Sequence, residues 1–576
     1  MKATPVYSRF REHGALIFIL VVGAAVRFGG LRFGLPALTE ARPDELLVIL
    51  PALRFGTGDF NPHFFKYPSL YLYVLFFFYA AYYVLGRLSG RFACPADFIL
   101  EFALDPSNLF LINRGLSALL GTLTIVATYK VSSRIMSKKY ALLSSLFLSL
   151  AYLHARNSHF GVTDAPATLL TMLSCYYLLK IYQEGLIKDY ALAGVLSGLA
   201  TSTKYFGIFL AFPILLASGF NRFSSGPGGK LIGAKKPLLL WAWFCFAFLA
   251  GTPFALLDFK LFISELLYQY RVISGEQNLA WIQRGLFFHL YFTLYHGVGP
   301  TMLLAALLGA AVFFKKRTRE AAVLFAFPLV YYLFAGKGFS VFTRYMFPVI
   351  PFVAIGAGLG QEKVEQLISA RFPAWGKKWL TVLLAALILF PSTRNLVKFD
   401  LLISRTDNRL LARQWIMANI PEGASIYERA AGYAGLMLLQ APMILEKKVD
   451  EKEDQARSLY YQAKIEYFRA KKIAGYELWT YHPRTGEFQY LSQPQKSTPQ
   501  YIITEETPLI TYQKLPGPGL SQLLQNSYVL IKSFEAVDIH EPGNRYDQKD
   551  AFYLPYAGFK AVERPGPNIY IYRRKL

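Results

Sequence analysis

A chain of 576 residues that is 54% hydrophobic and 16% aromatic, with mean hydropathy +0.30, is too apolar for a water-soluble protein of its length. The formal charge of +24 does not signal nucleic acid, because the chain has no compact basic module. Lys and Arg mostly flank apolar runs, where they orient helices and meet anionic lipid.

The apolar runs are roughly 17 to 25 residues long, the length that spans a bilayer as helix. The first, 14–31, carries Arg27 and no obvious small-residue cleavage site, so it reads as a retained helix rather than a signal peptide. After it come Arg42-Pro43-Asp44-Glu45 and then Asn61-Pro62-His63-Phe64-Phe65-Lys66-Tyr67-Pro68. The run 69–86 is crowded with Tyr and Phe. Further runs are 108–131, 140–153, 166–182, 190–203, 205–218, 237–257, 287–313, 321–336, 342–360 and 379–391. From residue 392 they stop. The remainder mixes short apolar stretches with Gly, Pro and charges, as a soluble α/β domain does. There, 410–416 reads as an amphipathic helix, and 424–427 and 568–572 read as strands. The expected layout is a membrane domain over 1–391, with a first external loop 32–107, followed by a soluble domain over 392–576. Cys94, Cys175 and Cys245 are widely spaced and imply neither a disulfide framework nor a metal site. No HExxH, Walker-type loop or GxSxG is present.

The basic segments 134–139, 222–236, 315–319 and 363–378, with Lys2, Arg9 and Arg11, should be cytoplasmic. All fall inside only if 69–86 does not cross. The reading is then a polytopic α-helical protein of a plasma (inner) membrane, with about eleven crossings, a cytoplasmic N-terminus and an extracytoplasmic soluble domain. The aromatic run 69–86 would lie in the interface or dip in and return; by length alone it would be an ordinary spanning helix. On this parity Asp44, Glu45, Lys66, Arg156, His159, Asp164, Lys204, Lys337 and Arg344 share the external face, beside a cleft open to lipid. Acids and cations together there suit a reaction on a lipid phosphate.

Each candidate also has a structural reading. Asp44 and Glu45 suit the first turn of a helix begun by Pro43, and one of them can also serve as a base. Asp164 either N-caps the helix containing Pro166 or joins Arg156 and His159 in a site. Lys204, between two apolar runs, either snorkels or holds an anion. Arg344 either anchors its helix at the interface or offers its fork to phosphate oxygens. Arg27, inside the first run, needs a partner, and an external acid is the expected one. His289 and His296 suit a kinked helix near Gly297-Val298-Gly299-Pro300 better than a metal pair.

In order and spacing these residues resemble the GT-C membrane glycosyltransferases, specifically the protein O-mannosyltransferase and aminoarabinose-transferase group. The elements that carry the resemblance are Pro43-Asp44-Glu45; Phe65-Lys66-Tyr67-Pro68; the Arg-led helix Asn113-Arg114-Gly115-Leu116; the loop ending in Asp164; Gly198-Leu199-Ala200-Thr201-Ser202-Thr203-Lys204-Tyr205; and Arg344-Tyr345-Met346-Phe347-Pro348. The resemblance implies a GT-C fold, a polyprenyl-phosphate sugar donor and inversion at the anomeric carbon. By the same resemblance Asp44 is the general base and Glu45 helps position substrate. Lys204, Arg344 and Lys66 neutralise the leaving phosphate, with Asp164, Arg156, His159 and Arg27 in support. No cofactor is required, and a divalent metal is left open. Lys66-Tyr67-Pro68 replaces both the His-Pro-Pro-type segment of the mannosyltransferases and the Glu-Lys-Pro of the aminoarabinose transferases, which leaves sugar and acceptor open. The acceptor is a lipid, glycan or protein. The partners implied are the donor and membrane lipids, without nucleic acid. Two other functions compete: a transporter or flippase of lipid-linked sugars, which would not need Asp44, and a membrane scaffold whose tail binds cell-wall glycan.

Overall fold

The computed structural model describes residues 5–224, 230–274, 285–338, 341–371, 377–430, 432–450, 455–513 and 517–575. Parts of the basic segments 222–236 and 363–378, and Lys2, lie outside the described residues. The chain divides into two compact units. One comprises Met1–Leu31, Asp59–Phe76 and Asn113–Asp400; the other comprises Arg32–Gly58, Phe77–Ile112 and Leu401–Leu576. Segments of the expected first external loop thus belong to the same unit as the C-terminal region.

The first unit is helical, and its helices follow the apolar runs. Among the described residues four stretches are long and apolar enough to cross a membrane: Leu70–Leu88, Ser107–Ser132, Thr318–Lys337 and Lys378–Asn419. Other helices are shorter or more polar, including Lys138–Ser149, Asp164–Gln183 and Ile187–Thr203. Between lipid-embedded helices there is little hydrophobic drive, so close backbone approach at small residues has to supply the packing. Gly194 and Gly198 let Ile187–Thr203 meet the backbone of Lys230–Gly251 at Leu240 and Phe244. Gly309 does the same for Pro300–Lys316, against Gly356 and Gly360 of Ile350–Arg371.

Two runs bear on the crossing count. The run 287–313 is interrupted where the kink was expected: Gly285–Val298 and Pro300–Lys316 are bent apart by 111°. The break lies at Gly299, whose φ of 86° suits glycine, and Pro300 then starts the next helix where its missing N–H costs nothing. Just before it, His289–Leu294 forms a π-helical turn in which His289 Nδ1 lies 3.1 Å from Thr293 Oγ1. For His289 that is the kinked, hydrogen-bonded arrangement expected. The run 69–86, in turn, is part of one unbroken helix, Leu70–Leu88, about 28 Å long. It lacks the break that a segment dipping in and returning would require; an unbroken helix of this length lies in the interface or crosses.

One end of the unit is basic. Arg134, Lys316, Arg317 and Lys363, from three basic segments far apart in sequence, line one cavity and so share a face. Arg344 precedes the helix Ile350–Arg371, and Lys363 lies well along it. At 1.5 Å per residue Arg344 and Lys363 are about 28 Å apart along the chain's rise, close to the thickness of a bilayer's hydrocarbon core.

In the second unit a seven-stranded mixed sheet has the order β4-β3-β2-β1-β5-β7-β6. The strands are β1 (Ser425–Arg429), β2 (Glu477–His482), β3 (Glu487–Tyr490), β4 (Gln493–Pro494), β5 (Tyr501–Glu506), β6 (Tyr528–Phe534) and β7 (Asn568–Arg574). β1 runs parallel to both β2 and β5, and the other pairs are antiparallel. Alternation along the strands feeds two cores. Ile426, Ile503, Ile569 and Ile571 pack with Ala412 and Ile416 of the helix Asn408–Asn419, while Ile502, Trp479 and Phe488 pack with Leu520 of the helix Pro518–Ser527. Asp407 caps Asn408–Asn419 by accepting from the Arg409 N–H. First-loop residues are built into this unit. Phe33 meets Phe552 edge-on at 5.9 Å, and the helix Pro95–Leu104 packs on Gln455–Ala470 through Phe102 and Tyr460.

Candidate functional site

In the helical unit the decisive contact is an ion pair. Lys204 ends the helix Ile187–Thr203 with extended backbone, and its Nζ lies 2.7 Å from Asp164 Oδ2. The lysine side chain is 16% exposed and the aspartate 4%. The ammonium also sits over the rings of Tyr67, at 5.8 Å, and Phe206, at 6.0 Å. Asp164 is therefore not an N-cap. Thr163 precedes it with αR backbone and no capping bond, Asp164 occupies the first helical position, and its carboxylate is taken by Lys204. A cap needs extended backbone to turn its oxygen onto the second or third N–H.

Arg344 lies in the 3-10 segment Thr343–Val349, which packs on the helix that Asp164 begins. Its guanidinium stacks 4.1 Å from the Phe342 ring centre and remains partly exposed. Lys66 is half-buried with Nζ 5.5 Å over Tyr268. Its neighbour Phe65 is buried, and the Phe65 carbonyl accepts from the Tyr205 hydroxyl at 2.7 Å, which fixes this turn.

The three remaining supporting residues do not face a cleft. Arg27 is fully buried; its hydrogen bonds go to carbonyls and a histidine, and the acid that its charge meets is Asp400. Nη1 donates to the Gly23 and Ser149 carbonyls at 2.8 and 2.9 Å; Nη2 donates to the Leu148 carbonyl at 3.1 Å and meets His154 Nδ1 at 3.0 Å. It thereby satisfies carbonyls at the C-terminus of Lys138–Ser149, where a helix favours positive charge. His159 is buried, with its ring nitrogens 2.9 and 2.8 Å from the Ala155 and Gly29 carbonyls. Arg156 is buried too, bonded to Asn157 Oδ1 at 2.9 Å and flanked by Phe160 and Phe399. All three stitch the interior. Asn113 and Arg114 do likewise: Asn113 accepts from Tyr71 and donates to the Gly161 carbonyl, and Arg114 donates to the Leu31 carbonyl.

Asp44 and Glu45 belong to the other unit. Pro43–Glu45 forms a single 3-10 turn leading into the helix Leu46–Arg54, with Pro43 and both acids in the first turn as expected. The two carboxylates have different surroundings. Glu45 is fully buried, whereas the Asp44 side chain is 17% exposed. Arg42 stands beside them, 1% exposed. Its Nη1 donates to Asp550 Oδ1 at 2.5 Å and to the Asp550 carbonyl at 3.1 Å, and its Nη2 lies 3.6 Å from Asp44 Oδ2. Nearby, Arg409 grips Asp407 with Nε and Nη2 at 2.9 and 2.8 Å, donates to the Tyr433 carbonyl and lies 5.0 Å from the Tyr553 ring centre. Burial raises the Glu40 carboxyl, with the Arg409 charge opposing it; burial also raises the Tyr433 phenol, helped by the charges of Asp44 and Glu40. Asp550 and Arg409 went unread as site residues because nothing local marks them. Asp550 is 508 positions from Arg42. Among the described residues no three His, Cys, Asp or Glu side chains converge as metal ligands would.

Comparison with known proteins adds a family to this geometry. Residues 108–254 match the family model described as dolichyl-phosphate-mannose-protein mannosyltransferase. In that stretch the chain resembles the GT-C mannosyltransferases. The matched stretch contains Asp164 and Lys204. A protein of Aquifex aeolicus (strain VF5), described only as uncharacterized, is 28% identical over 265 residues. That match covers 41% of this chain and 46% of the relative, so the chain aligns with under half of the relative's length. Among solved structures, the oligosaccharyltransferase of Archaeoglobus fulgidus tethered to an acceptor peptide is similar, with TM-score 0.49 and 11% identity over 99% of this chain and 89% of its own. ArnT from Cupriavidus metallidurans in the apo state has TM-score 0.48 and 12% identity over 97% and 98%.

Proposed function

We propose that this chain is an integral-membrane glycosyltransferase that moves one sugar from a polyprenyl-phosphate donor to an acceptor at the external membrane face, with inversion. The single observation that carries the reading is the mannosyltransferase-family match over 108–254, the stretch that holds the Asp164–Lys204 pair.

In the proposed reaction Asp44 takes the proton of the acceptor hydroxyl as that oxygen attacks the anomeric carbon. The bond from that carbon to the phosphate oxygen breaks, and the lipid phosphate leaves with the electron pair. Partial exposure suits Asp44 to this role; Glu45, fully buried, is assigned to holding the turn. A positioned base contributes on the order of 10²–10⁴-fold. Lys204, Arg344 and Lys66 are the cations proposed to meet the departing phosphate, whose developing charge fixed cations stabilise. Because Lys204 is already paired with Asp164, its ammonium is held at one place before donor binds, and phosphate would share it with the carboxylate. Arg156, His159 and Arg27 are assigned to the fold.

The test is sugar transfer by the purified chain in detergent, with a synthetic polyprenyl-phosphate sugar as donor. Asp44→Asn should abolish transfer while donor still binds. A fully active variant would refute the assignment of the base, and donor movement across a vesicle without any transfer would favour a flippase.

A further inference from the structure

The geometry points to a second anion site, one for a phosphate ester, at the end of the helical unit away from Asp164 and Lys204. It does not depend on the proposed reaction. A cavity of about 390 Å³ is lined by Arg134 and Ser137, by Lys316 and Arg317, and by Glu362 and Lys363. These come from three separate connections: the turn before Lys138–Ser149, the turn between Pro300–Lys316 and Thr318–Lys337, and the second half of Ile350–Arg371. Four of the six are cationic, and Glu362 is the only acid among the described lining residues.

The wall is fixed in two ways. Arg134 is held by Gln183 at 2.8 Å and by Glu184, while Arg317 is held by Glu320 at 3.2 Å and by the Ile135 carbonyl at 3.3 Å. Three of these four partners lie off the cavity lining, Ile135 being on it, so both guanidiniums are held in place, and Lys316 and Lys363 supply charge beyond those pairs. Ser137 adds a second element. It stands at the N-cap of Lys138–Ser149 with extended backbone and no side-chain capping bond, so its side chain lies on the cavity wall at the positive end of a 12-residue helix. Gly309 also lines the cavity, where its helix lies close against the Gly356 and Gly360 backbones. Basic pockets between membrane helices at the positively charged side take anionic lipid head groups, and this site has the size and charge for one phosphate.

The ligand is either the head group of an anionic phospholipid or free phosphate, and the experiment separates the two. Full-length protein in nanodiscs of equal phosphatidylglycerol and phosphatidylcholine is released for native mass spectrometry, with and without inorganic phosphate. Retained phosphatidylglycerol that phosphate does not displace identifies the lipid; displacement identifies a site open to free phosphate. Either result supports the inference if the paired substitution Lys316→Gln and Lys363→Gln weakens binding by about tenfold while Lys316→Arg and Lys363→Arg keeps it. Glu362→Gln, which adds no bulk, should strengthen it. Equal retention of both lipids with no phosphate binding overturns the site, and so does a preference that none of these substitutions moves.

Discussion

The Arg42 bridge is the most exposed part of this reading to experiment. Arg42 is almost fully buried, and its two terminal nitrogens face different acids, Asp550 and Asp44. Removing one partner of a buried pair costs about 3–5 kcal/mol, because the remaining charge stays in a dry place. Asp550→Asn keeps an amide oxygen to accept one bond, so a smaller loss of about 1–3 kcal/mol is expected. At about 2–4 °C per kcal/mol for a domain of this size, that lowers the melting midpoint of the second unit by about 2–12 °C. Loss of the Asp550 carboxylate also loosens the guanidinium that stands beside Asp44. Transfer should therefore fall in kcat more than in KM. The paired substitution Arg42→Met and Asp550→Leu, which removes both charges together, should recover stability without recovering transfer. The assays are hydrogen exchange over 42–54, thermal melting of the full chain in detergent, and initial transfer rates. If Asp550→Asn leaves exchange protection, melting and kcat unchanged, the bridge does not position Asp44.

Three further outcomes follow. Lys204→Gln leaves the buried Asp164 carboxylate without its ammonium, so donor affinity should drop at least about tenfold, or about 1.4 kcal/mol, with lower stability; Asp164→Asn should cost stability but keep donor binding, and equal losses of donor affinity in both variants would argue against a phosphate role for Lys204. Burial pushes the Glu428 carboxyl up to about 7, against one N–H from Leu436 that pulls it down. The folded state therefore holds its proton where the unfolded chain has lost it, and this group makes stability fall as pH rises from about 4.5 to about 7, by on the order of 1–3 kcal/mol. Glu428→Gln should flatten the melting midpoint across that window, and an unchanged slope would assign it to another group. Finally, Gly309→Ala puts a Cβ into the Gly356 carbonyl and the Gly360 nitrogen. Separating these helices should cost about 1–3 kcal/mol, read as a lower melting point in detergent; a neutral effect would mean that the pair is not closely packed.

How far these features were legible depends on whether their cause is local. The helices follow the apolar runs because run length alone meets the bilayer's demand, and β1 and β7 were legible because Ile426-Tyr427 and Ile571-Tyr572 alternate between two cores. Pro43 opening a turn with two acids was equally local. The failures have one physical origin. Arg27 needed a partner, and an acid was the natural guess; its charge does meet Asp400, yet its hydrogen bonds go to carbonyls of a helix end. Asp164 preceded a helix and so read as a cap, but Lys204, forty positions on, took its carboxylate. Residue type names a donor or a charge without saying which orphaned carbonyl or distant side chain the fold will bring to it. The same argument bears on the bend at Gly299. Gly297-Val298-Gly299-Pro300 announces that a helix is interrupted, but not that the chain turns through 111° there, with Gly299 set close against Pro391 and Ser392. Counting crossings from hydropathy therefore requires the path of 285–316 as well as the lengths of the runs. Labelling positions on either side of Gly299 from each face of the bilayer measures that path directly: opposite faces make it a bent crossing, and one face makes it a re-entrant loop and removes a crossing from the eleven.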